Sequence, residues 1–188
     1  MAEVYMAGDF RNGTTFEMDG NVFKVVEFQH VKPGKGAAIV KTKLKNLRTG
    51  SIIEQTFNSG IKVPQGHVEK IKMQYLYENG GSYTFMNMTT YEQVDISKSQ
   101  IEAESKFLKE GLEVLLFFYE GEMLGIELPE KIDYVITSTE PAIKGNTATN
   151  ATKDAIIETG LLVRVPLFIE QGEEIIVSTK DGKYVSRK

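Results

Sequence analysis

Glycine-bearing turn pairs punctuate this chain from end to end, at Asn12-Gly13, Asp19-Gly20, Thr49-Gly50, Gly80-Gly81, Glu120-Gly121, Gln171-Gly172 and Asp181-Gly182. Asn-Gly and Asp-Gly supply the positive φ angles that two-residue hairpin turns demand, so such spacing favours many short antiparallel strands. Between the turns lie short runs of β-branched and aromatic residues. In the first third these predict strands over Thr14–Met18, Val22–His30, Ala37–Asn46 and Ser51–Phe57, with Val22, Val25, Val26, Phe28, Ile39, Thr42, Leu44, Leu47, Ile52, Ile53 and Phe57 as the packing residues. This is the strand count of a small SH3-like barrel.

The middle third predicts strands over Val68–Tyr77, Tyr83–Met88, Gln93–Ile96, Leu112–Tyr119 and Met123–Leu128. The first two of these flank the loop Glu78-Asn79-Gly80-Gly81. Ser99 followed by Glu102 is a capping-box pattern and Gly111 a stop, which predicts one helix over 99–110 carrying Ile101, Ala103, Phe107 and Leu108. Three strands, a helix and two strands is the order of an OB-type barrel. The last third predicts strands over Lys131–Ser138, Ala155–Glu158, Leu161–Val165, Glu174–Thr179 and Tyr184–Arg187, with a polar loop at Glu140–Lys153. Pro64, beside polar Gln65-Gly66, marks a boundary, and Leu128-Pro129 a second. The expected fold is all-β, in three small barrels spanning 1–64, 65–128 and 129–188.

The chain has 188 residues and no cysteine, which excludes disulfides, thiol catalysis and cysteine-ligated zinc. The N-terminus lacks a basic stretch followed by an apolar run, and no apolar segment nears the ~18 residues of a membrane span. A soluble, cytoplasmic protein is expected. The net charge of −4 is unevenly spread: +3 over 1–64, −6 over 65–128 and −1 over 129–188. Residues 24–48 hold Lys24, Lys32, Lys35, Lys41, Lys43, Lys45 and Arg48 against Glu27 alone. Such a stripe can steer one end toward phosphate. A solvated strand face accounts equally for Lys41, Lys43 and Lys45, since alternate residues point one way.

Within the stripe, Lys32-Pro33-Gly34-Lys35-Gly36 joins the second and third strands. Pro33-Gly34 fits the centre of a type II turn, and Gly36 frees the far side, so Lys35 is expected at an uncrowded tip. The segment joins strand to strand, so it lacks the helix N-terminus of a phosphate loop. Nothing else offers an active site. His30 and His67 are far apart without ligand spacing, and there is no nucleophile elbow or zinc-protease helix. Glu102/Glu104 and Glu120/Glu122 fit solvated surface. A glycine-flanked lysine tip lacks the dry pocket of a Schiff-base lysine. Neither catalysis nor a cofactor nor a metal is expected.

Three motifs carry a resemblance. The opening Ala7-Gly8-Asp9-Phe10-Arg11-Asn12-Gly13, the loop HVKPGKGAA at 30–38, and Lys153-x-Ala155-x4-Gly160-x2-Val163-x-Val165-Pro166-x2-Ile169-x2-Gly172 resemble those of bacterial translation elongation factor P. That family is the counterpart of the hypusine-bearing initiation factor of eukaryotes and archaea. Asp181–Arg187 also resembles the family's end, whereas Asn146 stands where many members carry aspartate.

The resemblance implies a KOW/SH3-like barrel followed by two OB folds, L-shaped like tRNA. It implies a non-enzymatic factor that binds both ribosomal subunits between the peptidyl and exit sites and relieves stalling at consecutive prolines. It acts there by positioning peptidyl-tRNA, as a monomer. Lys35 matches the residue that a lysine-modifying enzyme alters in many members, and Lys32, Pro33, Gly34 and Gly36 shape its loop at the acceptor end. Tyr184 and Arg187 match contacts to tRNA, and Gly145, Asn146 and Thr147 a segment near ribosomal RNA or messenger. The other reading is a general RNA-binding KOW/OB protein without proline specificity.

Overall fold

The computed structural model describes residues 3–142 and 151–188. Its strands, in chain order, are β1 (Val4–Met6), β2 (Thr15–Met18), β3 (Asn21–Val31), β4 (Ile39–Asn46), β5 (Ile52–Asn58), β6 (Lys62–Pro64), β7 (Glu69–Asn79), β8 (Ser82–Asn87), β9 (Gln93–Ser97), β10 (Glu113–Tyr119), β11 (Glu122–Glu127), β12 (Lys131–Thr139), β13 (Thr152–Ile157), β14 (Leu162–Pro166), β15 (Glu174–Ser178) and β16 (Tyr184–Arg187). They form a two-stranded pair, β1-β6, and three larger sheets of order β2-β3-β4-β5, β11-β10-β7-β8-β9 and β14-β13-β12-β15-β16. The expected all-β class is what is seen. Among the described residues no helix is long and apolar enough to cross a membrane.

By its contacts the chain falls into two compact units, residues 1–70 with 117–125, and residues 71–116 with 126–188. In the first, Phe10, Phe16, Phe23, Val25, Leu44, Phe57 and Val63 form one core. Phe10 stacks on Phe16 at 4.8 Å between ring centres, and Phe57 meets both edge-on. Asp19 (φ 53°) and Gly20 (φ 74°) make the two-residue turn between β2 and β3, as the Asp-Gly pair predicts. Along β4, Val40, Thr42, Leu44 and Asn46 are buried while Lys41, Lys43 and Lys45 face out.

Two packing expectations fail in this unit. Val26 is 38% exposed, because the β3–β4 register slips between Val25↔Leu44 and Glu27↔Lys43 and leaves Val26 as an extra residue. A bulge of this kind reverses which side chains face the core. Ile52 and Ile53 are exposed on the edge strand β5, where only Phe57 reaches the core. Pro64 closes β6, opposite Val4.

Residues 117–125 anchor to this unit through polar contacts. The Arg48 guanidinium grips the Glu122 carboxylate through Nε at 3.2 Å and Nη2 at 3.1 Å. The Tyr119 hydroxyl donates to the Glu17 carboxylate. That bond, ahead of burial, pushes the Tyr119 phenol up to about 12 from an ordinary 10.0. The folded state therefore holds this proton more tightly than the unfolded chain. The contact's contribution is intact below pH 10 and is lost as pH rises through the folded value. We expect Tyr119→Phe to flatten the alkaline fall in stability of this unit between pH 10 and 12, relative to wild type, in pH-dependent urea unfolding.

In the second unit Tyr75 packs against Tyr83 and Phe85, above buried Ile96, Ile101, Leu112, Val114 and Leu116. The expected helix over 99–110 is not formed. Lys98–Gln100 is a 3-10 turn and only Glu102–Ser105 is α-helical. The Ser99 hydroxyl pairs with that of Ser97 instead of capping a helix, and the first helical residue follows buried Ile101. Beyond Ser105 the chain tightens into i→i−3 turns, with the Phe107 N–H donating to the Glu104 carbonyl and the Leu108 N–H to the Ser105 carbonyl, and both side chains are buried. The buried Tyr134 hydroxyl donates to the Phe107 carbonyl at 2.5 Å, and burial raises its pKa. In the last sheet Ile132, Ile136, Ala155, Ile157, Val163, Val165, Ile175 and Val177 are buried, as is Ile169 in the connection between β14 and β15.

Candidate functional site

The β3–β4 ladder ends at the pair Val31↔Ile39, leaving Lys32–Ala38 as an open loop. Every residue from Lys32 to Ala37 is exposed, with Lys35 at the centre. Among the described residues no ion pair involves Lys32 or Lys35. The expected type II turn at Pro33-Gly34 is absent. Positive φ falls at Gly36 (φ 116°), not at Gly34, so the chain reverses after Lys35 rather than before it. A loop this wide need not close tightly at its proline. A Cβ on Gly36 would lie 3.8 Å from the Pro33 ring, an ordinary contact, so conformation and not space demands glycine there. Gly36→Val should therefore strain the loop by about 1–3 kcal/mol and shift its backbone amide resonances. Gly34→Ala, with nothing within 4 Å, should leave them in place.

Below the loop the basic stripe divides. Arg48 is committed to Glu122, and Lys43 to Glu27 at 3.0 Å, a pairing that raises the Lys43 pKa. Lys24, Lys41 and Lys45 remain on the surface, and Lys24 lies directly opposite Lys45 in the ladder. Like charges facing across a ladder are destabilising. Their juxtaposition concentrates positive potential on the sheet that carries the loop.

Tyr184 and Arg187 stand on β16 in the second unit, so the structure assigns the expected site residues to separate units. Arg187 is not a free cation. Its guanidinium pairs with the Glu173 carboxylate and lies 5.4 Å over the Phe168 ring. The same carboxylate accepts the Glu170 N–H at 2.7 Å, and this bond, then Arg187, holds Glu173 below the usual carboxylate range. Phe168 is 58% exposed and escaped sequence reasoning, because it sits in an apolar run between Pro166 and Ile169 that reads as core. Following Arg187 in sequence, Lys188 bridges Asp133 at 2.9 Å and Glu174 at 2.7 Å. Gly145, Asn146 and Thr147 lie outside the described residues.

The Lys153–Gly172 motif turns out to be chiefly a folding pattern. Ala155, Val163, Val165 and Ile169 are buried, and Gly160 and Gly172 occupy turns. His30 and His67 are exposed, His30 lying edge-on to Phe28.

Family models match almost the whole chain in three consecutive pieces. Residues 6–63 match the elongation factor P KOW-like domain, 68–126 the elongation factor P OB domain, and 132–187 the elongation factor P C-terminal domain. Among solved structures, eukaryotic translation initiation factor 5A from Methanococcus jannaschii is 23% identical with a TM-score of 0.56, over 68% of this chain and 93% of that one. A translation initiation factor eif-5a family protein from Naegleria fowleri ATCC 30863 is 18% identical with a TM-score of 0.53, over 68% of this chain and 99% of that one. These likenesses show the shared fold. With three matched segments that together span residues 6–187, the chain belongs to the elongation factor P family of translation elongation factors.

Proposed function

We propose that this protein binds the ribosome between the peptidyl and exit sites and stimulates peptide-bond formation at consecutive prolines. Its modules are 1–64, 65–128 and 129–188, a division supported by the segments that the family models match. The tip loop Lys32–Gly36 steadies the acceptor end of peptidyl-tRNA, while Tyr184, Arg187 and the segment Gly145–Thr147 meet tRNA or ribosomal RNA. One observation carries the reading: Lys35 sits exposed at the centre of an open loop, on the sheet that bears Lys24, Lys41, Lys43 and Lys45.

Proline reacts poorly because its ring fixes φ and restricts the approach of the amine. A factor that holds the ester end still raises the population of reactive geometries without doing chemistry itself. The ribosome makes the bond, and the factor works as a cytoplasmic monomer. An exposed amine with no structural duty is also open to a lysine-modifying enzyme, whose added group would lengthen its reach.

A reconstituted translation system tests the proposal. Synthesis through Pro-Pro-Pro should rise on adding this protein, and equal synthesis with and without it would remove the reading. The opposed Lys24 and Lys45 favour a second reading, a general RNA-binding protein. RNA binding with steep salt dependence and no proline-specific stimulation would support that one instead.

A further inference from the structure

Tyr91 lies in the five-residue connection between β8 and β9, and the fold gains little from it. The loop is well braced without the ring. The Asn87 N–H donates to the Glu92 carbonyl and the Tyr91 N–H to the Asn87 carbonyl, each at 2.8 Å. The Asn87 side-chain oxygen accepts the N–H groups of Thr89 at 2.8 Å and Thr90 at 3.1 Å. The Thr90 hydroxyl accepts that of Glu92 at 3.3 Å. This closure puts Tyr91 at φ 63°, a left-handed position where glycine is favoured and a bulky side chain is out of place. At 71% exposure it is also the most exposed large apolar side chain of the described residues. Among those residues its hydroxyl makes no hydrogen bond and its ring no aromatic or cation contact.

A strained aromatic that contributes nothing to its own fold points outward, to a partner. The surrounding charge says which kind. Glu92 follows directly and is exposed, and residues 71–116 of its unit hold Glu78, Glu92, Asp95, Glu102, Glu104, Glu110 and Glu113 against Lys72, Lys98, Lys106 and Lys109. The Lys72 carbonyl accepts the Met88 N–H at 3.4 Å, but the Lys72 ammonium is taken up by Glu113 at 2.7 Å. Phosphate is repelled by such a surface and a cation is drawn to it. We propose that Tyr91 and Glu92 form a docking anchor for a basic protein surface. An arginine or lysine of the partner packs on the Tyr91 ring, and the Glu92 carboxylate supplies the counter-charge.

The ribosome is the probe, so the test rests on the ribosome-binding reading above. Salt-washed 70S ribosomes would be titrated with wild type, Tyr91→Gly and Tyr91→Asn. Both replacements suit the left-handed backbone, and asparagine does so without loosening the loop. Both should keep or raise the melting temperature yet bind about tenfold more weakly. In a photocrosslinking arm, benzoylphenylalanine at position 91 should give a protease-sensitive adduct with a ribosomal protein. A ribonuclease-sensitive adduct would overturn the proposal, and so would a lowered melting temperature, which would make the ring structural. If wild type and both variants bind equally, the anchor is refuted and ribosome binding stands. If none of them binds, both fall.

Discussion

Replacing Lys35 with alanine should leave the melting curve of this protein unchanged and cut its stimulation of Pro-Pro-Pro synthesis roughly a hundredfold. The two halves of that expectation come from the same geometry. Lys35 lies in a loop beyond the last ladder pair, exposed and outside the core cluster, so its truncation opens no cavity. Yet it stands exposed in the middle of the open loop, and an error of an ångström at a reacting centre is costly. Stopped-flow peptide-bond kinetics on a di-proline acceptor would measure it. Lys35→Arg keeps the charge but alters the shape, and separates a role in electrostatics from one in fit. Wild-type rates with Lys35→Ala would place the active group elsewhere.

The second large effect concerns stability. Phe16→Ala should cost about 3–5 kcal/mol, out of the roughly 5–15 kcal/mol that holds a domain folded. Phe16 is fully buried and touches three other rings, Phe10, Phe23 and Phe57, with centroids 4.8 to 6.1 Å away. Its backbone is also tied down, bridging to Gln65 and lying close to Gly66, where a Cβ would come within 3.3 Å of it. The neighbours cannot collapse inward easily, so most of the cavity should persist. Urea unfolding would read the loss, and hydrogen exchange should show it first in residues 4–64. A loss below about 1 kcal/mol would mean the aromatic cluster repacks.

How far the sequence foretold these results depends on the distance over which each feature is decided. Alternation along Ile39–Asn46 and the Asp19-Gly20 turn are local, and both strands and turn form where their residues indicate. The Ser99/Glu102 pattern is local as well, but it lost to burial of Ile101, Phe107 and Leu108, which is decided by the rest of the barrel. Pairing of Val4–Met6 with Lys62–Pro64 leaves no mark in either three-residue segment. Nor do the Arg48–Glu122 and Tyr119–Glu17 contacts, whose partners lie 74 and 102 residues apart. At the candidate site, the exposed lysine tip was legible from its glycines and its setting between strands. Which glycine carries the positive φ was not, because the loop's width is fixed by where the ladder stops. For Arg187 the resemblance implied only a contact to tRNA, and the folded chain adds Glu173 and Phe168 holding it.

The bulge at Val26 bears on a hazard that every open sheet faces. Beyond Lys24 the outer side of β3 has no strand beside it among the described residues, so Glu27–Val31 offers unpaired backbone groups to any passing chain. An unguarded edge of that sort templates aggregation. Here the extra residue twists the edge out of the straight line that another strand would need, and charged Glu27 stands immediately after it. Deleting Val26 would restore a flat edge next to the loop, and self-association on concentration would be the first symptom.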